Sequence, residues 1–257
     1  MVYPVNNETR KNQLLEGCTF ERVFGSKIRT AVAAYGLEDP RARFFVCVEE
    51  EGPTAALALF GKVLVVSALP SCSPQPIAAL VKAEGVTEVD TNWDQCLELQ
   101  RRLGGVTESS YYMAYLGNAP EGDFSNIRPG RLEDVFAVLQ QSHEYYRTHL
   151  TFESWSGELA LKLEKGLMEL CQLEVDGKVV GTGSIISEDE ECGAIAAVAV
   201  IPEYRHRGLG SHITRYLMGR VCQKGKTPRL ISGYDEVAEL YKQLGFITCG
   251  RWGELYL

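Results

Sequence analysis

The sequence lacks several features that mark particular classes of protein. Its eight cysteines include no Cys-x-x-Cys pair, which argues against a zinc site. No apolar run reaches the roughly 18 residues needed to cross a bilayer, and the first residues lack the basic and then apolar pattern of a secretory signal. We therefore expect a cytoplasmic protein that uses no metal, does not enter a membrane and keeps several of its cysteines as buried, reduced thiols.

An excess of basic residues is also missing. The chain holds 26 lysines and arginines against 34 aspartates and glutamates, a net charge of −8, and the parts before and after residue 122 each contribute −4. Without a basic tail or patch, nucleic acid and anionic membrane surfaces are poor candidate partners. A cationic acceptor molecule would suit the negative electrostatic field that this net charge produces.

A strand, a turn and a helix meet at one stretch of the 257-residue chain. The apolar run Val198-Ala199-Val200 predicts a buried strand that ends at Pro202. The turn that follows contains Gly208 and Gly210, which let the backbone approach a ligand closely. Since the first N–H groups of a helix are free and carry partial positive charge, the pattern predicts a phosphate or pyrophosphate site.

Three families of proteins use such a turn, and the spacing separates them. A P-loop needs a lysine after its last glycine, where this chain has Ser211, and a Rossmann turn needs a glycine where Ile213 stands. The remaining pattern is Arg-x-x-Gly-x-Gly, from Arg205 to Gly210. It resembles the acetyl-CoA-binding motif of the GNAT N-acetyltransferase superfamily.

Two further segments carry the same resemblance. Residues 239–246, Glu-Leu-Tyr-Lys-Gln-Leu-Gly-Phe, are similar to the family's second signature, a helix that ends in Leu-Gly-Phe. Residues 175–183 resemble the second hairpin of the family. Together the similarities cover residues 126–257 and imply the mixed-sheet α/β fold of GNAT acyltransferases.

The first half resembles a degenerate copy of the second. Residues 99–105 align with residues 240–246, and both segments follow a short strand and precede another. Gln100 stands in place of Tyr241, and residues 69–74 replace the glycine turn. We therefore expect two tandem GNAT-like domains: a degenerate N-terminal domain over 1–122 and an acetyltransferase domain over 123–257. An unrelated α+β domain in the first half is the alternative.

Periodicity and turn residues predict the elements along the chain. In the first half we expect one helix over 10–36, then strands and helices at 43–50, 55–60, 62–67, 86–89, 92–103 and 106–116, and a helix that starts at residue 73 and contains Val81. In the second half we expect elements at 127–129, 153–166, 167–175, 178–186, 192–200, 229–232, 235–244, 246–249 and 253–257. We also expect a helix that includes Leu132 to Leu139 and another that includes Leu209 to Val221.

The resemblance implies roles for the glycine turn and the strand before it. The pyrophosphate of acetyl-CoA would lie against the backbone N–H groups of residues His206, Arg207, Gly208, Leu209, Gly210 and Ser211, with the charges of Arg205 and Arg207 nearby. Val198, Ala199 and Val200 would offer backbone groups to the pantetheine arm, and the N–H of Val198 would polarise the thioester carbonyl. We expect the side chains of these three residues in the core.

By the same resemblance, Tyr241 would protonate the departing sulfur. The alternative is a core tyrosine, because Val237, Leu240, Tyr241 and Leu244 form an apolar stripe at helical spacing. Tyr234 stands where many relatives carry an asparagine, which puts cofactor contacts there in doubt.

The general base is not evident from the sequence. The strand over 192–200 has no ionisable carboxylate or imidazole. In the segment that lines the acceptor site of relatives, His143, Glu144 and His149 are candidate substrate-binding residues, and a solvated surface position is the alternative for each.

Three functions remain open from the sequence. The first is direct transfer of an acetyl or short acyl group from its CoA thioester to a primary amine, on a small molecule or a peptide. The second is a catalytically inactive acyl-CoA-binding regulatory module, and the third is a structural protein that keeps only the fold.

Overall fold

The first half of the chain alternates strands and helices. The computed structural model describes residues 1–233 and 235–257, with the side chain of Glu158 left out. The strands of the first half are β1 (Val2–Pro4), β2 (Arg43–Glu49), β3 (Gly52–Phe60), β4 (Val63–Ala68), β5 (Glu88–Asn92) and β6 (Val106–Tyr115). The helices are α1 (Glu8–Gly17), α2 (Arg22–Tyr35), α3 (Pro74–Glu84) and α4 (Trp93–Leu103).

The second half repeats this order. Its strands are β7 (Ile127–Pro129), β8 (Glu169–Val175), β9 (Lys178–Glu188), β10 (Cys192–Val200), β11 (Thr227–Ser232) and β12 (Phe246–Tyr256). Its helices are α5 (Leu132–Ser142), α6 (Glu144–Thr148), α7 (Phe152–Glu164), α8 (Leu209–Gln223) and α9 (Asp235–Gln243). Apart from the short α6, the order β-α-α-β-β-β-α-β-α-β occurs twice, and the predicted mixed α/β class is confirmed.

Contacts divide the chain into two compact units. The N-terminal unit contains Met1–Tyr112 and Thr248–Leu257, with a short segment that begins at Ile231, and the C-terminal unit contains Met113–Leu230 and Asp235–Ile247. The domain boundary expected near residue 122 stays a prediction.

The N-terminal unit is a mixed sheet with a core on both faces. Strands β1 to β4 pair antiparallel in sequence order, β5 pairs parallel with β4, and β12 adds antiparallel to β5 from Trp252↔Asn92 to Tyr256↔Glu88. Because side chains alternate along a strand, Leu57 packs into one core with Ile77, whereas Ala56 packs into the other with Phe24.

The C-terminal unit has the same layout. Strands β7 to β10 pair antiparallel in sequence order, and β11 pairs parallel with β10. Helix α8 packs closely on β9, since a Cβ at Gly181 or Gly183 would lie 2.8 or 2.7 Å from the side chain of Ile213. The two glycines of the predicted hairpin are therefore required for this helix to reach the sheet.

The single helix expected over residues 10–36 is wrong. The structure has two helices, α1 and α2, with a break between Gly17 and Arg22. Ser67 on β4 provides hydrogen bonds to backbone groups on both sides of the break. Its hydroxyl donates to the carbonyl of Gly17 at 2.8 Å and accepts from the N–H of Glu21 at 3.1 Å. This bond comes from a residue far along the chain, so local periodicity does not show it.

One other expectation needs correction, and two short elements were not predicted. The two terminal strands are one strand, β12, in which Gly253 continues the ladder and leaves room for Cys96, 2.6 Å from where its Cβ would be. The strand β1 and the helix α6 were not predicted, since each is too short to show a period.

Six of the eight cysteines are buried free thiols, as expected for cysteines in apolar runs. A hydrogen bond from the neighbouring Cys72 thiol lowers the pKa of Cys47. Among the described residues, no helix combines the length and hydrophobicity that crossing a bilayer would require.

Three carboxyl groups lie together in the N-terminal unit. Oxygens of Glu88, Asp90 and Glu254 lie within 4.8 Å of one another. Asp90 is buried; one of its oxygens accepts from Lys27 at 2.8 Å and the other has no partner. Burial, followed by the charges of Asp90 and Glu88, raises the pKa of Glu254 to about 7.

Glu254→Gln should stabilise the protein at high pH. Because the raised pKa means that the folded state binds a proton more tightly than the unfolded state, folding should weaken as the pH rises from about 4.5 to about 7. At pH 8 the variant should exceed the wild type in unfolding free energy by about 2 kcal/mol, a gap that closes towards pH 4. Urea unfolding at several pH values measures this. The exposed Glu51→Gln is the control, and equal pH slopes for wild type and Glu254→Gln would show the prediction to be wrong.

Candidate active site

Strands β10 and β11 part after three residue pairs. Their parallel ladder runs from Cys192↔Thr227 to Ala194↔Arg229 and, among the described residues, goes no further. On its other edge β10 bulges away from β9, since the register shifts between Ala196 and Ala199 and Ala197 takes a left-handed φ of 53°. The second half of β10 is therefore bent, and one of its edges has no strand beside it.

The turn after β10 presents a row of backbone N–H groups. His206 and Gly208 have left-handed φ values of 60° and 75°, and Gly208 begins α8 without any side-chain cap. Within the described chain, no N–H group from residue 206 to residue 211 donates to a protein acceptor. At Gly208 and Gly210 nothing lies within 4 Å of where a Cβ would be. Free donors, open space and a helix start together favour a bound anion.

The two arginines of the turn have different partners. Arg205 donates to the carbonyl of Val200 at 3.0 Å and to the carbonyl of Ser142 at 2.8 Å. Arg207 donates to the carbonyl of Glu203 at 3.1 Å and lies over the ring of Tyr204. Arg205 therefore fixes the end of β10 against the end of α5, in addition to supplying charge.

A cavity of about 460 Å³ opens where β10 and β11 part. It brings together most of the predicted site residues, namely His143, Val198, Ala199, Val200, Arg205, His206, Gly208, Leu209, Gly210, Ser211 and Tyr241. It does not bring in Arg207, Glu144 or His149. Sequence reasoning missed the other lining residues, Ser142, Tyr204, Val237 and Leu240.

The structure corrects one expectation about the core and argues against one alternative. Val198, Ala199 and Val200 are half-buried, not core residues, because they line the cavity. The stripe on α9 is not a core stripe either: Val237 is 37% exposed, Leu240 and Tyr241 are half-buried, and the buried residue of the helix is Ala238. An apolar helical face can cover a cleft as well as a core.

Tyr241 lies on the cavity wall formed by α9. Its ring packs edge-on against Phe246, with the ring centroids 5.8 Å apart. Burial raises the pKa of the Tyr241 phenol above its usual value, so the hydroxyl stays protonated at neutral pH. Tyr234, the residue in place of the expected asparagine, lies outside the described residues.

The candidate acceptor residues are spread over the junction of α5 and α6. His143 lines the cavity, and its Nδ1 accepts from the N–H of Tyr145 at 3.3 Å, which places the proton of the neutral ring on Nε2. Glu144 and His149 are exposed away from the cavity, and His149 stacks on Tyr145 with ring centroids 5.2 Å apart. Ser142, next to His143, has a buried hydroxyl without a partner.

Free backbone N–H groups and a protonated tyrosine line the same largely apolar cleft, an arrangement that suits a ligand carrying phosphate. Residues 132–246 match the sequence model of the Acetyltransferase (GNAT) family, and this part of the chain belongs to that family. The family indicates acyl transfer from an acyl-CoA. No curated protein matches the chain.

Solved structures share the fold at low sequence identity. A GCN5-related N-acetyltransferase from Sphaerobacter thermophilus is 16% identical with a TM-score of 0.67, over 99% of this chain and 94% of that protein. A GNAT acetyltransferase from Colwellia psychrerythraea is 12% identical with a TM-score of 0.64, over 100% and 99%. A tandem GNAT protein from the clavulanic acid biosynthesis pathway is 10% identical with a TM-score of 0.62, over 99% and 97%. The expected tandem GNAT fold is thereby confirmed.

Arg205→Met should destabilise the C-terminal unit, whereas Arg207→Met should change stability little. The first variant loses two hydrogen bonds to backbone carbonyls of β10 and α5, and the second loses one bond within the turn itself. We expect a loss of about 1 kcal/mol for Arg205→Met. Urea unfolding of the two variants and the wild type measures this, and equal losses would contradict the bracing role of Arg205.

Proposed function

We propose that the C-terminal unit transfers an acetyl or another short acyl group from its CoA thioester to a primary amine. The observation that carries the proposal is the row of free N–H groups at residues 206–211, which opens on the same cavity as Tyr241. Backbone donors at a helix start suit the pyrophosphate of CoA. The acceptor is a small molecule or a peptide amine, and the chain's net charge of −8 suits a cationic one.

The bulged half of β10 would hold the acyl-bearing arm of this substrate. Ala197 and Val198 have no partner in the register with β9, and the edge of β10 beyond Ala194 has none in β11. An amide-containing chain can pair with such an edge as an added strand. We propose that the N–H of Val198 polarises the thioester carbonyl and stabilises the oxyanion that forms when the amine attacks.

Tyr241 would give a proton to the sulfur as the carbon–sulfur bond breaks. A free thiol has a pKa near 8.5 and a phenol one near 10, and burial raises the pKa of Tyr241 further. The phenol is therefore protonated when the thiolate leaves, and a hydroxyl close to the sulfur can share or donate this proton.

The acceptor amine must lose a proton before or during its attack. Strand β10 has no side chain that could take it. We propose that direct attack proceeds with proton release to solvent at the cavity mouth, where His143 is exposed. The neutral ring of His143 carries its proton on Nε2, so it would donate to an acceptor oxygen of the substrate in this tautomer.

The N-terminal half is proposed to be a degenerate GNAT-like domain over residues 1–122, followed by the acyltransferase domain over 123–257. The repeated order of elements and the confirmed tandem fold support this division. The first copy has neither the glycine turn nor the tyrosine, so the transfer chemistry is assigned to the second copy.

Gly208→Asp should abolish acetyl-CoA binding, whereas Gly208→Asn should retain much of it. Both side chains tolerate the left-handed φ of 75° and point into open space. They have nearly the same shape, so the negative charge beside the pyrophosphate is the difference between them. Isothermal titration calorimetry with acetyl-CoA should show at least a hundredfold loss of affinity for Asp relative to Asn. Equal affinities, or no binding by the folded wild type, would contradict the proposed cradle.

Tyr241→Phe should lower the rate of acyl transfer about 10²-fold, a common size for loss of an acid catalyst, and leave acetyl-CoA affinity nearly unchanged. Release of free CoA thiol across a panel of primary amines measures the rate. Tyr204→Phe is the matched control, because Tyr204 lines the same cavity on the side of the glycine turn. If acetyl-CoA binds and no amine releases thiol, the regulatory-module alternative replaces the enzyme.

A further inference from the structure

The N-terminal unit has a cavity of its own, of about 500 Å³. It lies next to the carboxyl ends of β4 and β5, between Pro70 after β4 and the start of α4. As in the C-terminal unit, the two parallel strands pair over three residues only, from Val63↔Glu88 to Val65↔Asp90. The carboxyl ends of parallel strands that part are a common place for ligands, and the volume is in the range of small-molecule sites.

This cavity is unsuited to a CoA pyrophosphate. The loop after β4 has no glycine, and α3 begins with Pro74, which has no N–H group to offer. The charged lining residues are Glu21, Asp94 and Glu98, against the single cation Arg251. The three carboxylates would repel a diphosphate. A ligand of this cavity must therefore belong to another chemical class.

One side of the cavity suits a carboxylate. The side chain of Gln95 lines the cavity and is 94% buried, and its Nε2 has no hydrogen-bond partner. An unpaired buried donor of this kind is costly unless an acceptor is supplied. Arg251, which lies over the ring of Trp93 and donates to Ser109, adds positive charge to the lining, and the start of α4 adds a partial positive charge.

The neighbouring side of the cavity suits an ammonium group. Glu21 is half-buried, and one long bond of 3.4 Å, from the side-chain amide of Asn92, reaches its carboxylate. Burial raises the pKa of Glu21, and a cation beside a half-buried carboxylate favours its charged form. Asn92 also caps α4 by accepting from the N–H of Gln95 at 3.0 Å. Asn92 is therefore hydrogen-bonded both to Glu21 and to Gln95, which connects the two polar sides of the cavity.

Besides the carboxylates Asp94 and Glu98, the lining includes five apolar or aromatic residues, namely Val23, Phe24, Pro70, Trp93 and Tyr112. We propose that this cavity is a second ligand site that binds a free α-amino acid with an apolar side chain, its ammonium group on Glu21 and its carboxylate on Gln95 and Arg251. The site is separate from the acyl-transfer cavity, and its existence does not depend on the proposed function.

Calorimetry on the full chain, with four probes, tests the need for both charges. L-phenylalanine carries both, phenethylamine lacks the carboxylate, and 3-phenylpropionate lacks the ammonium group; L-leucine is a second probe of the apolar wall. We expect L-phenylalanine or L-leucine to bind and each singly charged analogue to bind at least tenfold more weakly. If neither amino acid binds, or if phenethylamine binds as tightly as L-phenylalanine, the proposal is wrong.

Three variants locate the site. Glu21→Gln, Gln95→Leu and Arg251→Met should each weaken amino-acid binding at least tenfold while leaving acetyl-CoA binding unchanged, and thermal melting checks that each is folded. Gly208→Asp should leave amino-acid binding unchanged. Full affinity in the folded N-terminal variants, or loss of amino-acid binding in Gly208→Asp, would place the amino acid in the C-terminal cavity and overturn the proposal.

Discussion

The parting of two parallel strands is the constraint on which the candidate active site depends. Strands β10 and β11 pair over three residues and then separate, while the bulge at Ala197 bends β10 on its other edge. A backbone edge without a ladder must be satisfied by water or by a ligand. The same gap leaves space for the turn at residues 206–211, so the cleft and its anion cradle have one structural origin.

The elements around the cleft are closely packed and hydrogen-bonded where the ligand would be held. Gly181 and Gly183 let α8 pack directly on β9, and this contact fixes the helix whose start forms the cradle. Arg205 fixes the end of β10 through two carbonyls. The apolar side chains of β10 and α9 that face the cavity are partly exposed, as is usual for the lining of a binding cleft.

The two copies of the fold present different chemical groups at the same place in the same arrangement of strands. In both, a parallel pair of strands separates and a cavity lies near the carboxyl ends. The second copy presents backbone N–H groups, whereas the first presents carboxylates with a buried, unpaired amide at Gln95. Backbone pairing and core packing hold the sheet together, so the residues near the carboxyl ends of the parallel strands can change without loss of the fold.

The sequence by itself determined the class of the protein and the position of the glycine turn. The pattern Arg-x-x-Gly-x-Gly after an apolar strand is local, because a left-handed Gly208 and a free helix start depend on neighbouring residues only. The tertiary structure alone decided what depends on distant residues: the break between α1 and α2, which Ser67 bridges, the role of Arg205 as a brace, and the cavity-facing side of α9. It also separated His143 from Glu144 and His149, since adjacency along the chain does not fix which side chains face a cleft.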